Sequence, residues 1–301
     1  MKKIFQFYRD VITKSKYKGE LNTGKKKFRF ITRTILYLPQ SLNLAGFIQN
    51  HKYLSKKILS YPVLISKIHR PYLCNLFSVS KRLISIKETY NFIDTFFPKK
   101  TAEELYEKGS VTLAEITGTD DEKFQITLSM YPNFDKEGEL SLKILNSEKI
   151  PLTTATFSFI KENGEYIMFL GGLQGPHRSI DKDCIKHATK SLSGIFPKRV
   201  VMEALYAIEH SLDMKFDKFC VGNGRHVYVS RRYLKKRKIL ASYDDFMKTL
   251  DSIKTKSGLW KLPNELIRKN IADIPSKKRG EYRRRYSILD SVNKSITENF
   301  I

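Results

Sequence analysis

The sequence has few cysteines, and their spacing excludes two classes of small scaffold. The 301 residues contain only Cys74, Cys184 and Cys220. Their number is odd, and no two of them form a C-x-x-C pair. A disulfide framework and a structural zinc site are therefore not expected, and a reducing compartment fits this cysteine content.

Long hydrophobic runs are also missing. The longest stretch without charge, residues 34–50, includes Pro39 and several amide side chains, so it is too short and too polar to span a bilayer. Near the start of the chain, Arg9 and Asp10 interrupt the apolar run before it reaches the length of a signal peptide. We therefore expect a cytoplasmic protein that is able to touch a membrane surface.

Acidic residues are scarce at both ends of the chain. The net charge of +24 divides into +17 for residues 1–100, −5 for residues 101–220 and +12 for residues 221–301. Two basic ends around an acidic middle favour an anionic partner such as anionic lipid, a phosphate-bearing ligand or nucleic acid. A general compositional bias toward lysine is the alternative explanation.

Residues 1–108 are predicted to form a basic helical N-terminal region. Leu83, Ile86, Tyr90, Ile93 and Phe97 recur at spacings of three and four, which places them on one face of a helix. Upstream, prolines separate three or four short amphipathic segments. Such segments pack as ordinary core helices, or they lie on an anionic membrane surface.

Residues 109–301 are predicted to form an α+β domain with a basic C-terminal helix. Five short runs rich in threonine, isoleucine, leucine and phenylalanine alternate with turn signals between residues 110 and 172, which is typical of an antiparallel meander. A helix at 197–212, a strand at 216–221 and a helix with Ser276 as its N-cap follow. The fold class expected is an antiparallel sheet flanked by helices.

The segment "FLGGLQGPHRS" at 169–179 is the first candidate for chemistry. A glycine-rich turn after a strand exposes backbone N–H groups that can bind phosphate. The predicted ligand-binding residues there are Gly171, Gly172, Gln174, Gly175 and Arg178. No P-loop or dinucleotide fingerprint is present. A bulge or a close approach between backbones is the structural alternative, which the glycines by themselves favour.

Two histidines beside glycine turns are the candidate acid–base residues. His177 follows Gly175, and His226 follows Arg225 in "GNGRHVY". A histidine transfers protons near neutral pH, and an arginine binds a carboxylate or a phosphate. Arg225 is therefore a further predicted ligand-binding residue. A hairpin turn with a surface arginine is the alternative, and the other four histidines are expected to be packing or surface residues.

The segment "SKKRGEYRRRY" is the candidate anion-binding surface. Basic side chains on one helix are able to bind phosphates, whereas a solvated helix face is the structural alternative. The predicted anion-binding residues are Lys277, Lys278, Arg279, Arg283 and Arg284. No recognisable DNA- or RNA-binding motif accompanies them, so nucleic acid is the least favoured partner.

The order of three antiparallel strands, glycine turn, helix and strand resembles the central part of GNAT-type acyltransferases. In that architecture, the turn and the next helix hold the pyrophosphate of an acyl carrier such as coenzyme A. The resemblance implies acyl-CoA or an acyl-carrier protein as the co-substrate, with His226 or His177 as the base. The usual Q/R-x-x-G-x-G/A signature is absent, and "LQGPHR" is only a degenerate form of it.

Longer motifs resemble the bacterial VirK/YbjX family. They are "FLGGLQG", "PKRVVMEALYAI", "HVY", "YDDFMKTL", "LWKLP" and "IPSKKRGEYRRRYSILD", in this order. The resemblance is strongest from about residue 165 to residue 290. It implies an accessory protein of virulence, envelope integrity and resistance to antimicrobial peptides, in the bacterial cytoplasm or at the inner-membrane periphery. It carries over no reaction and no catalytic residue, so a non-catalytic membrane-binding or chaperone-like module stays open.

Overall fold

A computed structural model describes residues 2–14, 21–131, 133–177, 179–230 and 243–301. Within these ranges, seven α-helices precede the first strand. They begin with α1, which carries the amino-terminal basic residues, and end with α7, which closes at Gly109 in the left-handed conformation (φ +84°). Their bounds are α1 Lys2–Lys14, α2 Gly24–Leu36, α3 Leu38–Asn50, α4 Leu54–Lys57, α5 Val63–Ser66, α6 Val79–Phe96 and α7 Lys99–Lys108.

The described strands form one eight-stranded mixed sheet. Strands β1 to β5 pair in sequence order and are antiparallel, whereas β6 pairs with β5 in parallel, and β8 lies between β6 and β7. Their bounds are β1 Ser110–Thr117, β2 Lys123–Met130, β3 Leu140–Leu145, β4 Pro151–Glu162, β5 Glu165–Gln174, β6 Asp217–Val221, β7 Ile253–Lys254 and β8 Leu259–Lys261.

Helices cover both faces of the sheet centre. The parallel crossover from β5 to β6 contains α8 (Lys182–Ser191) and α9 (Pro197–Ser211). Two further α-helices are the short α10 (Tyr243–Lys248) and the long α11 (Ser276–Asn299). Both α6 and α9 pack on β4, and α11 packs on α9 and β1. Nine consecutive residues of β4 are buried, as expected for a strand covered on both faces.

A buried ion pair connects the N-terminal helices to the sheet. Lys67 Nζ lies 2.7 and 2.8 Å from the two carboxylate oxygens of Glu139, and both side chains are fully buried. Tyr72 and Tyr90 each donate a hydrogen bond of 2.7 Å to the same carboxylate. The four groups satisfy one another, which a buried charge requires.

The α+β class with a sheet flanked by helices is confirmed, although the parallel β5–β6 pair makes the sheet mixed, and two local predictions are wrong. Helix α11 begins at Ser276 with Pro275 as its N-cap, so Ser276 is not the cap. Gly171 and Gly172 belong to β5 and not to a loop after it. The division at residue 108 and the similarity to GNAT-type acyltransferases stay predictions.

Candidate functional site

The two adjacent glycines of β5 make room for Glu137. Thr156 pairs with Gly172 and Phe157 with Leu170, so Gly171 is the extra residue of a β-bulge. A Cβ atom on Gly172 would lie 1.7 Å from Glu137 Oε2, and one on Gly171 would lie 2.1 Å from the backbone oxygen of Glu137. The glycines therefore serve the close approach of another segment.

Strand β5 continues past the end of its parallel pairing with β6, which includes four of the five residues of β6. The parallel pairing runs from Ile167 with Asp217 to Leu170 with Cys220. Beyond that point β5 continues to Gln174, and the N–H of Leu173 donates to the hydroxyl oxygen of Tyr243 (3.2 Å). We call the place where β5 leaves β6, with the side chains that fill it, the β5–β6 fork.

Four polar side chains meet at the β5–β6 fork. Gln174 Nε2 donates to Glu137 Oε1 and to the hydroxyl oxygen of Tyr243, both at 2.9 Å. His226 Nε2 lies 3.4 Å from each of the same two oxygens. Glu137, His226 and Tyr243 are at most 1% exposed, whereas Gln174 is half-buried at the end of its strand.

The hydrogen bonds at the fork assign different roles to its histidine and its carboxylate. The N–H of Tyr228 donates to His226 Nδ1 (3.3 Å), so a neutral ring carries its hydrogen on Nε2, facing Glu137. Among the described residues, Glu137 Oε2 has no hydrogen-bond partner. Burial raises the pKa of Glu137, although His226 and Gln174 oppose the shift. A buried carboxyl group with a free oxygen and a raised pKa is typical of a proton-transfer site.

The raised pKa of Glu137 predicts a pH dependence of stability. Above the ordinary glutamate value of 4.5, the unfolded chain releases this proton while the folded protein keeps it, so the free energy of unfolding falls as the pH rises. In Glu137→Gln, this contribution is absent. We expect urea midpoints measured from pH 4.5 to pH 7 to fall more steeply for the wild type than for the variant. Parallel pH profiles would contradict the assignment.

The structure brings only some of the predicted site residues together. His226 and Gln174 lie at the fork, with Gly171 and Gly172 beneath Glu137. Arg225 Nε donates to the carbonyl oxygen of Ser257 at 2.6 Å, so this side chain contacts the turn between β7 and β8. Gly175 and His177 are exposed, and His177 Nδ1 lies 2.8 Å from the hydroxyl of Ser179. Arg178 lies outside the described residues.

The predicted anion-binding surface on α11 keeps four of its five residues in solvent. Lys277, Lys278, Arg283 and Arg284 are exposed. Arg279 instead donates to two backbone carbonyl oxygens before the helix, at 2.8 and 3.0 Å, so its guanidinium secures the start of α11. The binding of anions by this surface stays a prediction.

Sequence reasoning missed Glu137 and Tyr243. Glu137 lies in "PNFDKEG", which was interpreted only as a turn signal between strands, and the structure has turns at 133–137. The one available signal was the pair Gly171–Gly172, because adjacent glycines inside a strand pattern indicate a close neighbour. The identity of that neighbour is a tertiary contact that no local pattern shows.

A second histidine–carboxylate pair is structural. His51 Nε2 lies 3.0 Å from Asp94 Oδ2 beside a surface pocket between α3 and α6. His51 Nδ1 accepts the N–H groups of Tyr53 and Leu54 at 3.2 and 3.4 Å. Both ring nitrogens are therefore engaged, and no nitrogen of His51 remains to take a proton from a substrate.

Within the described residues, these features define an α+β protein with a mixed sheet and a cluster of buried polar side chains at the parallel β5–β6 pair. In the described ranges, no helix has the length and apolar character to cross a membrane. The family model described as "Protein of unknown function (DUF535)" matches residues 19–298, and the chain belongs to this family.

Three curated relatives align over most of their length. The protein is 32% identical to the Escherichia coli (strain K12) "Uncharacterized protein YbjX" over 290 residues, which cover 94% of this chain and 88% of the relative. Two Haemophilus influenzae proteins are 25% and 26% identical and cover 98% and 91% of this chain, and 97% and 88% of their own lengths. The resemblance to the VirK/YbjX family is thus confirmed.

Proposed function

We propose that the protein is an acyltransferase that uses a thioester acyl carrier, with Glu137 as its general base. The observation that carries the proposal is the β5–β6 fork, where β5 continues past the end of its parallel pairing with β6 and a buried carboxyl group has one oxygen without a hydrogen-bond partner among the described residues. The helical crossover between the same two strands also supports it. The envelope and virulence context implied by the VirK/YbjX resemblance belongs to this proposal.

The reaction follows from the groups at the fork. An amine or hydroxyl of the acceptor attacks the thioester carbonyl, Glu137 takes the proton of the attacking group, and the carbon–sulfur bond breaks. Glu137 then returns the proton to the carrier thiolate. His226 and Gln174 are positioning residues, because both face Glu137 Oε1, whereas Oε2 has no hydrogen-bond partner among the described residues.

The phosphates of the carrier do not fit at the two buried glycines. The backbone of Glu137 fills the space over Gly171, and its carboxylate fills the space over Gly172 and would repel an anion there. The carboxyl end of β5 is open instead, since Gly175 is exposed and a Cβ atom there would meet nothing within 4 Å. The carrier enters at this end.

Calorimetry with acetyl-CoA, a long-chain acyl-CoA and acyl-carrier protein tests the proposal. We expect at least one of these carriers to bind the wild type, and Gly175→Trp to weaken that binding at least tenfold by blocking the entrance, a loss of about 1.4 kcal/mol. Gly24→Trp, at an equally open glycine of α2, is the matched control and should bind as the wild type does. Absence of binding by all three carriers, or full binding by Gly175→Trp, would overturn the proposal.

A further inference from the structure

Helix α2 is anchored to the protein by a narrow buried face. Phe30 and Thr34 are its buried residues. The ring of Phe30 lies 6.1 Å from the ring of Tyr8 on α1 and 5.4 Å from that of His69. These contacts fix the rotation of α2 about its axis and so decide which of its other side chains face solvent.

A second apolar face of α2 is exposed. Phe28, Ile31 and Ile35 are spaced by three and four residues and are 68%, 40% and 65% exposed. Leu36, the last residue of α2, and Leu38, the first residue of α3, follow this face and are 69% and 43% exposed. Single exposed apolar side chains are ordinary, but five within eleven residues form a patch that marks an interaction surface.

Positive charge flanks this apolar patch. Helix α2 has no acidic residue, and basic residues occupy five of its thirteen positions. Helical geometry places Lys25 one turn before Phe28, beside the exposed apolar stripe, and places Arg29 one turn after Lys25. The basic residues are Lys25, Lys26, Lys27, Arg29 and Arg33.

We propose that this surface, the α2 face, binds the surface of an anionic lipid bilayer. A helix that combines apolar side chains with flanking lysine and arginine lies in the headgroup region, where its apolar face enters the acyl boundary and its cations meet anionic headgroups. Charge complementarity selects the lipid, because an apolar protein groove would not require five cations and no anion. The inference does not depend on the proposed acyl transfer.

Co-sedimentation of the full-length protein with vesicles tests the inference. The vesicles consist of phosphatidylcholine alone, or of phosphatidylcholine and phosphatidylglycerol in equal amounts. We expect binding to the anionic vesicles that weakens as salt rises, and little binding to the neutral ones. The double variant Phe28→Ser/Ile35→Ser should bind the anionic vesicles at least tenfold more weakly, because both side chains leave water on binding.

Matched variants distinguish binding by the α2 face from nonspecific binding by other exposed apolar or basic residues. Phe196→Ser/Ile253→Ser removes two side chains of similar exposure, 64% and 72%, from other surfaces and should bind as the wild type does. Lys25→Gln/Arg29→Gln should weaken binding about tenfold. The paired control is Lys277→Gln/Arg284→Gln on α11, which removes the same charge elsewhere and should have a smaller effect.

Three outcomes would overturn the inference. The first is undiminished vesicle binding by the two α2 variants, with circular dichroism showing all variants folded. The second is an equal or larger loss for the α11 variant, which would assign lipid binding to that helix. The third is a lipid-free change from dimer to monomer in Phe28→Ser/Ile35→Ser by light scattering, which would make the α2 face a contact between copies.

Discussion

Gly172→Ala should destabilise the folded protein by about 3 kcal/mol, measured by urea unfolding. The added Cβ atom would lie 1.7 Å from Glu137 Oε2 and 2.5 Å from its carboxyl carbon. Both residues are buried, so neither the strand nor the side chain is able to move away without disturbing the fork. The clash therefore adds strain that the wild type avoids.

A double-mutant cycle tests whether the clash with Glu137 causes the destabilisation in Gly172→Ala. Glu137→Ala removes the clashing carboxyl group, so it should restore the larger part of the stability lost in Gly172→Ala. It should not rescue Gly171→Ala, whose Cβ atom meets the backbone oxygen of Glu137 at 2.1 Å. Gly175→Ala, with no neighbour within 4 Å, is the neutral control. Additive effects of Gly172→Ala and Glu137→Ala would show that the two residues do not touch.

Lys67→Met should lower the free energy of unfolding by as much as Gly172→Ala does, or by more. It leaves the buried carboxylate of Glu139 without its cation, and breaking a buried pair in this way costs about 3–5 kcal/mol. Because Lys67 precedes the sheet and Glu139 lies next to β3, the loss should appear in the unfolding of the whole chain. Urea unfolding followed by both circular dichroism and tyrosine fluorescence measures it.

Two controls accompany Lys67→Met. The double variant Lys67→Met/Glu139→Gln removes both charges and should regain the larger part of the lost stability. Lys186→Met breaks a pair of similar length with Asp183, 2.7 Å, whose side chains are 78% and 73% exposed, and should cost under about 0.5 kcal/mol. A loss in Lys67→Met no larger than in Lys186→Met would contradict a buried, compensated pair.

Local periodicity was sufficient to predict most elements of this fold. The spacing of Leu83, Ile86, Tyr90 and Ile93 predicted a helix, and all four are buried in α6. The five strand segments from residue 110 were predicted because turn signals separate them, and β1 to β5 pair in that order. Helix and strand patterns repeat every two to four residues, so they are visible in the local sequence.

Long-range pairing could not be predicted in the same way. Glu137 and Glu139 are separated by one residue just before β3, yet Glu137 lies against His226 and Glu139 forms an ion pair with Lys67. Nothing in the local sequence distinguishes a carboxylate that will be buried from one that faces solvent. The sequence predicted that the segment containing α2 is amphipathic, but it did not show which apolar residues are buried. The packing of Phe30 in the protein leaves Phe28 facing solvent.

The central claim is that Glu137 acts as a base at the β5–β6 fork, and single-turnover transfer from a radiolabelled acyl carrier tests it most directly. The carrier is one that calorimetry shows to bind, and the acceptors are an envelope lipid extract and water. Glu137→Gln keeps the shape of the side chain and loses its basicity. The account predicts acyl loss from the carrier by the wild type and normal carrier binding with at least hundredfold slower loss by Glu137→Gln. Equal rates for the two proteins would contradict it.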